Sequence, residues 1–98
     1  MRNVNWAEKA EAELLDAIDY ISDHSEAAAN AVYDRIYITA QKLGQRPIGR
    51  PGRMIGTYEK SVTNTRYILA YELTEDTVNI IRLIHSTQNW TPQDWPKD

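Results

Sequence analysis

Three side chains in the second half of the chain have the chemistry that a metal-free ribonuclease needs. Arg66 and Arg82 could stabilise a charged phosphate, and the imidazole of His85 suits proton transfer near neutral pH. The segment Ser86 to Trp90, which follows, adds no further cation that would complete a basic cluster. A lone histidine at a strand end can instead hydrogen-bond the residues after it, and the sequence favours this structural role.

Other catalytic chemistries find no support in the sequence. The chain contains no cysteine and two histidines that lie far apart, so neither a thiolate site nor a histidine metal site is expected. No phosphate-binding glycine loop precedes a helix, and no Ser-His-Asp arrangement has local support. We therefore expect no metal and no cofactor.

Charge is unevenly distributed along the 98 residues. The net charge is −5 over residues 1–35, +5 over residues 36–66 and −3 over residues 67–98, which gives −3 in total. The isoelectric point of about 5.3 argues against direct binding to nucleic acid, since such binders are usually basic. Acidic and basic parts of the chain indicate either two surfaces with different partners or charges that only solvate a small domain.

The basic middle of the chain supplies the candidate binding residues Arg46, Arg50, Arg53 and Lys60. The three arginines lie in a loop rich in Pro and Gly. They could contact a target or an acidic partner segment, or they could pair with the carboxylates of the helices, and the sequence leaves both interpretations open.

Two amphipathic helices are predicted to position these residues. Apolar residues at steps of three and four predict the first helix over about Ala7 to Asp23, with Asn5 as its N-cap. Ser25 is the expected N-cap of the second helix, and Gly44 is expected to end it in the C′ position. The short connection predicts an antiparallel helical hairpin.

Three antiparallel strands follow an irregular segment that is rich in Pro and Gly. The predicted strands are Thr57–Val62, Arg66–Leu73 and Thr77–His85, and a short strand near Val4 precedes the helices. In the last strand, the alternation places one apolar set on one face and a second set on the other. The first set is Val78, Ile80 and Ile84, and the second set is Ile81 and Leu83.

Strands with two apolar faces need cover on both sides. The helical hairpin is expected to cover one face, and a loop, the tail or another protein the other. The sequence thus predicts one α+β domain over residues 1–98, in which a short N-terminal strand and an antiparallel helical hairpin pack on a small, mainly antiparallel sheet in the order β-α-α-β-β-β.

The tail, residues 86–98, contains two tryptophans that are expected to dock on the sheet or on a partner. We expect Trp90 to be structural and Trp95 to be the more exposed, functional ring. The longest apolar run is only Tyr67–Tyr71, and no apolar stretch of a signal peptide follows Met1. These features predict no membrane association and a cytoplasmic location.

The chain resembles the RelE/ParE toxin superfamily of bacterial type II toxin–antitoxin pairs, and is most similar to its ParE-like branch. The resemblance extends over nearly the whole chain and depends on the order and spacing of several segments. These segments are the helical start with Ala10, Leu14, Ile18, Tyr20 and Ile21, then Pro47–Arg53, Arg66–Tyr71 and Val78–His85, with Gln88 and Trp90 after them.

The resemblance implies a toxin that is neutralised by a ParD-like antitoxin. Within the superfamily, RelE-like members cut messenger RNA on the ribosome, whereas ParE-like members inhibit DNA gyrase by binding. The sequence favours the gyrase inhibitor, which would bind nucleic acid only through its antitoxin. The alternatives are a ribosome-dependent endoribonuclease that uses Arg66, Arg82 and His85, and a toxin-like fold that has lost its activity.

Overall fold

The computed structural model describes residues 1–87, which contain two helices and five strands. The elements are β1 (Asn3–Trp6), α1 (Glu8–Ser22), α2 (Glu26–Gln45), β2 (Arg50–Pro51), β3 (Thr57–Ser61), β4 (Tyr67–Leu73) and β5 (Thr77–His85).

The five strands form one sheet in the order β1-β5-β4-β3-β2. β1 runs parallel to β5, and the other neighbouring strands pair antiparallel. The two helices pack against each other and against this sheet. The predicted α+β class and the predicted order of elements are therefore confirmed. The two-residue strand β2 is an addition, because no regular element was expected between Pro47 and Gly56.

The main hydrophobic core lies between the helices and one face of the sheet. Apolar burial of this kind is the dominant favourable contribution to folding. The helices contribute small and branched side chains, and the strands contribute larger ones. The fully buried members include Ala10, Ile36, Ala40, Leu69, Tyr71, Val78 and Ile80.

A β-bulge in β5 changes which residues share a face of the sheet. Ala70 pairs with Arg82, but the next residue, Tyr71, pairs with Ile80, so Ile81 has no direct partner. The extra residue reverses the alternation of side chains beyond it. Leu83 therefore joins Val78 and Ile80 in the main core, while Ile84 packs with Ala70 on the other face. The prediction that Ile84 shares a face with Val78 was wrong for this reason.

The N-cap prediction for α1 was also wrong. Ala7 occupies the N-cap position, and no side chain caps the helix there. Asn5 lies within β1, and its amide nitrogen donates instead to the side-chain oxygen of Asn79, at 3.0 Å. The prediction for α2 was right, since the Ser25 hydroxyl accepts a hydrogen bond from the backbone of Ala28, at 3.1 Å.

Gly44 does not end α2, as the sequence had indicated, but lies buried in its last turn. The backbone of Arg2 donates to the carbonyl of Gly44 at 2.7 Å. A Cβ atom at this position would lie 2.7 Å from the carbonyl oxygen of Arg2 and 2.9 Å from Cγ2 of Val4. Glycine is required here because the N-terminal strand passes directly over the helix.

We predict that Gly44→Ala destabilises the protein, although alanine is the better helix former. Overpacking of this kind costs about 1–3 kcal/mol, which exceeds the roughly 1 kcal/mol that helix propensity would contribute. Urea denaturation followed by circular dichroism would measure the difference. Gln45→Ala, in the same turn but exposed, is the control and should change stability by less than about 0.5 kcal/mol. A stabilised Gly44→Ala variant would contradict the close approach of β1.

Candidate functional site

Arg82, one of the three nuclease candidates, is held in a partly buried ion pair with Glu13 of α1. The Arg82 guanidinium donates to the Glu13 carboxylate from Nη2 at 2.6 Å, and from Nε at 3.1 and 3.2 Å. The Arg82 side chain is 5% exposed and that of Glu13 is 21% exposed. A bidentate guanidinium–carboxylate pair of this geometry is strong and directional.

The same carboxylate also accepts a backbone hydrogen bond from the strand. Oε1 of Glu13 lies 3.1 Å from the backbone nitrogen of Leu83. The hydrogen bonds between β1 and β5 end before Leu83, at Ile80, whose carbonyl accepts from the Ala7 nitrogen at 2.8 Å. The Glu13 carboxylate therefore accepts the Leu83 N–H that a longer β1 would have bound. The same carboxylate binds the Arg82 guanidinium.

His85 ends β5 and contacts the residues around it. Its Nδ1 lies 2.6 Å from the hydroxyl oxygen of Thr87, and its ring packs edge-on against Tyr67 with centroids 5.3 Å apart. Burial raises the pKa of the Tyr67 hydroxyl, and the nearby Tyr20 adds to this effect.

Arg66 lies beside the end of β5 but contributes no ion pair within residues 1–87. Its side chain is exposed, and its carbonyl accepts a hydrogen bond from the Ser86 nitrogen at 2.6 Å. Of the three nuclease candidates, Arg66 is solvated, Arg82 is paired with Glu13 and His85 contacts Thr87 and Tyr67. The arrangement of residues 1–87 does not place their functional groups around one open site.

The basic loop folds back over the second face of the sheet. Its Met54 side chain packs on Ala70 and Ile84, which form a small second core. The loop is one of the three covers that the sequence left open for this face. Before this crossing, Gly49 approaches the main-core side of the sheet, where a Cβ atom would overlap the hydroxyl of Tyr71.

The loop arginines pair with a buried strand carboxylate, and not with the helical acids that the sequence suggested. Glu59 is 4% exposed and lies 3.6 Å from Nε of Arg53 and 3.9 Å from Arg50. It also accepts a hydrogen bond from the Arg53 backbone nitrogen at 3.0 Å. Glu59 thus fixes the loop to the sheet, while the Arg50 side chain remains 68% exposed at the surface.

Arg46 and Lys60 lie outside this ion-pair cluster. Arg46 is exposed at the C-cap of α2, and Lys60 is half-buried on the helix-facing side of β3. The remaining binding candidates, Trp90 and Trp95, lie outside the described residues.

An apolar groove runs along the outer surface of the helical hairpin. The groove has a volume of about 270 Å³ and exposes Leu15 (58%), Tyr33 (41%) and Tyr37 (49%). Tyr33 and Tyr37 are one turn apart on α2, and their rings stack at 6.2 Å. Trp6 and Leu14 form its floor, and Glu11 lines its rim.

Sequence reasoning missed Glu13, although a signal was present. Glu13 lies three residues after Ala10 and four before Ala17, at a position where the apolar stripe of α1 faces the sheet. A charged residue on such a stripe is rarely buried without a partner. This placement indicates a buried pair, but it does not identify Arg82, 69 residues away, as the partner.

No cluster of metal-ligating side chains occurs within residues 1–87. Over the same residues, no helix combines the length and apolarity needed to cross a membrane.

Comparison with known proteins connects this architecture to a toxin family. A family model described as "ParE toxin of type II toxin-antitoxin system, parDE" matches residues 4–90, and so includes both helices, strands β2 to β5 and all of β1 except its first residue. The chain belongs to the ParE toxin family. The resemblance drawn from the order of its sequence segments is thereby confirmed.

Two relatives of this ParE-family chain agree with the assignment. The chain is 31% identical over 90 residues to "Putative toxin Y4kP" of Sinorhizobium fredii (strain NBRC 101917 / NGR234). The aligned residues cover 91% of this chain and 93% of that protein. A solved structure titled "Chromosomal ParDE TA system from P. aeruginosa" superposes with a TM-score of 0.79 at 20% identity. This match covers 87% of the chain and 96% of the other, and shows that the fold is shared.

We predict that Glu13→Gln destabilises this ParE-family protein, because it leaves the buried Arg82 without its counter-charge. Breaking a buried pair typically costs about 3–5 kcal/mol, and the partial exposure of Glu13 should reduce this to about 2–3 kcal/mol. The double variant Glu13→Leu with Arg82→Met should recover much of the loss. Denaturant unfolding of the single and double variants measures the coupling.

Glu11→Gln, on the exposed side of the same helix, is the matched control for the loss of one negative charge. It should change the free energy of unfolding by less than about 0.5 kcal/mol. Equal stabilities of the Glu13→Gln and Glu11→Gln variants would show that the pair does not fix α1 to the sheet.

Proposed function

We propose that this ParE-family toxin inhibits DNA gyrase in the cytoplasm by binding, without cleaving RNA. Membership of the ParE toxin family supports the gyrase target, and the observation that carries the absence of RNA cleavage is the ion pair between Glu13 and Arg82. An arginine that stabilises a scissile phosphate must direct its donors at the substrate, whereas the Arg82 guanidinium is 2.6 Å from a carboxylate and nearly inaccessible.

The remaining candidates support the same proposal. Metal-free RNA cleavage needs an acid, a base and cations around one phosphate. The Nδ1 of His85 faces Thr87, and Arg66 extends from the surface without an ion pair in residues 1–87. The overall negative charge also opposes docking among the dense phosphates of a ribosome.

We expect the purified toxin to inhibit gyrase-catalysed supercoiling and to leave messenger RNA intact on ribosomes. His85→Gln and Arg66→Gln should change supercoiling inhibition by less than about threefold, since general acid–base residues contribute roughly 10²–10⁴-fold only where they act in catalysis. Both variants should first be shown to fold by circular dichroism.

Ribosome-dependent cleavage that is lost in His85→Gln would establish the alternative, an endoribonuclease. A folded toxin without effect in either assay would favour the remaining alternative, a toxin-like fold that has lost its activity.

The cognate partner that we propose is a ParD-like antitoxin, which neutralises the toxin by inserting an amphipathic helix into the groove of the hairpin. A shallow channel between two helices suits a third helix, whose apolar stripe would contact Leu15, Tyr33 and Tyr37. The carboxylate of Glu11 at the rim favours a segment with basic residues beside its apolar stripe.

We predict that Tyr37→Ala weakens antitoxin binding by at least about tenfold, because exposed aromatic side chains in an apolar groove are typical binding hot spots. Ile38→Ala is the matched control, since Ile38 is equally exposed (51%) on α2 but does not line the groove. Isothermal titration calorimetry with the antitoxin measures both affinities. Equal losses in the two variants would move the interface away from the groove.

A further inference from the structure

Basic residues line a small cavity near the C-terminal end of α2. The cavity, of about 180 Å³, is called the lysine pocket here, and it lies between α2, the loop after it and β3. Its lining residues are Thr39, Lys42, Leu43, Ile48, Lys60 and Thr63. Two cations and no carboxylate therefore line this cavity, which opens to the surface at Lys42, Ile48 and Thr63.

Neither lysine has a counter-charge among residues 1–87. Lys42 and Lys60 form no ion pair or side-chain hydrogen bond there, and the hydroxyl of Thr63 likewise has no partner in that part of the chain. The Thr39 hydroxyl, in contrast, already donates to the carbonyl of Arg35 at 2.8 Å. Three residues that line the same cavity therefore carry donor groups without a partner among residues 1–87.

The position of Lys60 is unusual for a solvated lysine. It pairs across the ladder with Leu69, a fully buried residue of the main core, so its side chain starts from the helix-facing side of the sheet. Lys42 lies in the last turn of α2, where a cation is favourable for the helix dipole. The dipole does not account for Lys60, since that residue comes from a strand.

A larger cavity adjoins the lysine pocket and shares Ile48 and Lys60 with it. This neighbouring cavity, of about 290 Å³, adds Gly49, Arg50, Glu59 and Ser61 to the lining. Its only carboxylate among these lining residues, that of Glu59, is engaged by Arg50, Arg53 and a backbone N–H. Both cavities are therefore lined by residues with cationic or hydroxyl groups, and Lys60 belongs to both.

We propose that the lysine pocket binds the phosphate group of a phosphomonoester, with its organic part in the neighbouring cavity. Two ammonium groups and a hydroxyl match the charge of a phosphomonoester, about −1.5 to −2 at pH 7, better than the single charge of a carboxylate. A volume of about 180 Å³ exceeds that of several water molecules, each of which occupies about 30 Å³ in the liquid, and so accommodates a phosphate.

The test is an NMR titration of the full-length 15N-labelled protein with inorganic phosphate, in which sodium chloride keeps the ionic strength constant. We expect saturable shifts of the amide signals of residues 39–43 and 60–63. Lys42→Gln and Lys60→Gln should each weaken phosphate binding by at least about tenfold, the usual effect of losing a charged hydrogen bond. Lys9→Gln, on exposed α1, is the control and should leave the affinity unchanged.

Two outcomes of the phosphate titration would overturn the proposal. The first is shifts that scatter over the surface, or that persist unchanged in the folded Lys42→Gln and Lys60→Gln variants. The second is a parallel titration with acetate that reaches the same affinity, which would identify the site as a carboxylate acceptor.

Further titrations identify the source of the phosphate. AMP should bind more tightly than inorganic phosphate and extend the shifts to Gly49 and Arg50, and equal affinities would overturn the role of the neighbouring cavity. A 5′-phosphorylated dinucleotide that binds no better than AMP supports a small phosphomonoester as the ligand. Tighter binding of the dinucleotide supports the end of a nucleic acid, which the same donors would recognise.

Discussion

The Glu13 carboxylate fixes the relation between the helices and the sheet. It joins α1 to β5 through the Arg82 guanidinium and through the Leu83 backbone, at the level where pairing with β1 has ended. Because one helical side chain satisfies both partners, α1 can lie over β5 only in this register. The outer groove depends on the same register, since Leu14 and Leu15 directly follow Glu13 in the chain.

Local patterns were sufficient to predict every element of this fold except the two-residue strand β2, and long-range pairing was not accessible to them. The periodicity of apolar residues, with the capping residues, predicted both ends of α1 and the start of α2 to within about one residue. It also predicted the bounds of β5 correctly. The bulge at Ile81 and the passage of β1 over Gly44 depend on neighbours that are distant in sequence. A pattern of period two or 3.6 contains no information about such neighbours, so the predictions for Ile84 and Gly44 failed.

The candidate residues were recognised by type, but their roles depended on partners that the sequence does not identify. Arg82 was a candidate for phosphate chemistry and is paired with Glu13. Arg53 was a candidate for binding a partner or for pairing with a helical carboxylate, and it is paired with Glu59 of β3. In both cases a carboxylate, buried for Glu59 and partly buried for Glu13, holds the arginine in an ion pair within the fold. The two carboxylates lie on different elements, and each holds one cover of the sheet in place: Glu13 holds the helices and Glu59 holds the loop.

The two edges of the sheet also affect how the protein behaves at high concentration. The edge strands are short, with four residues in β1 and two in β2, and Pro51 removes a backbone donor from the second edge. Where β1 ends, the Glu13 carboxylate occupies the next outward N–H of the longest strand, β5. Neither edge strand therefore presents a long, regular row of donors and acceptors to another copy of the chain. The fold is thereby protected against edge-to-edge aggregation.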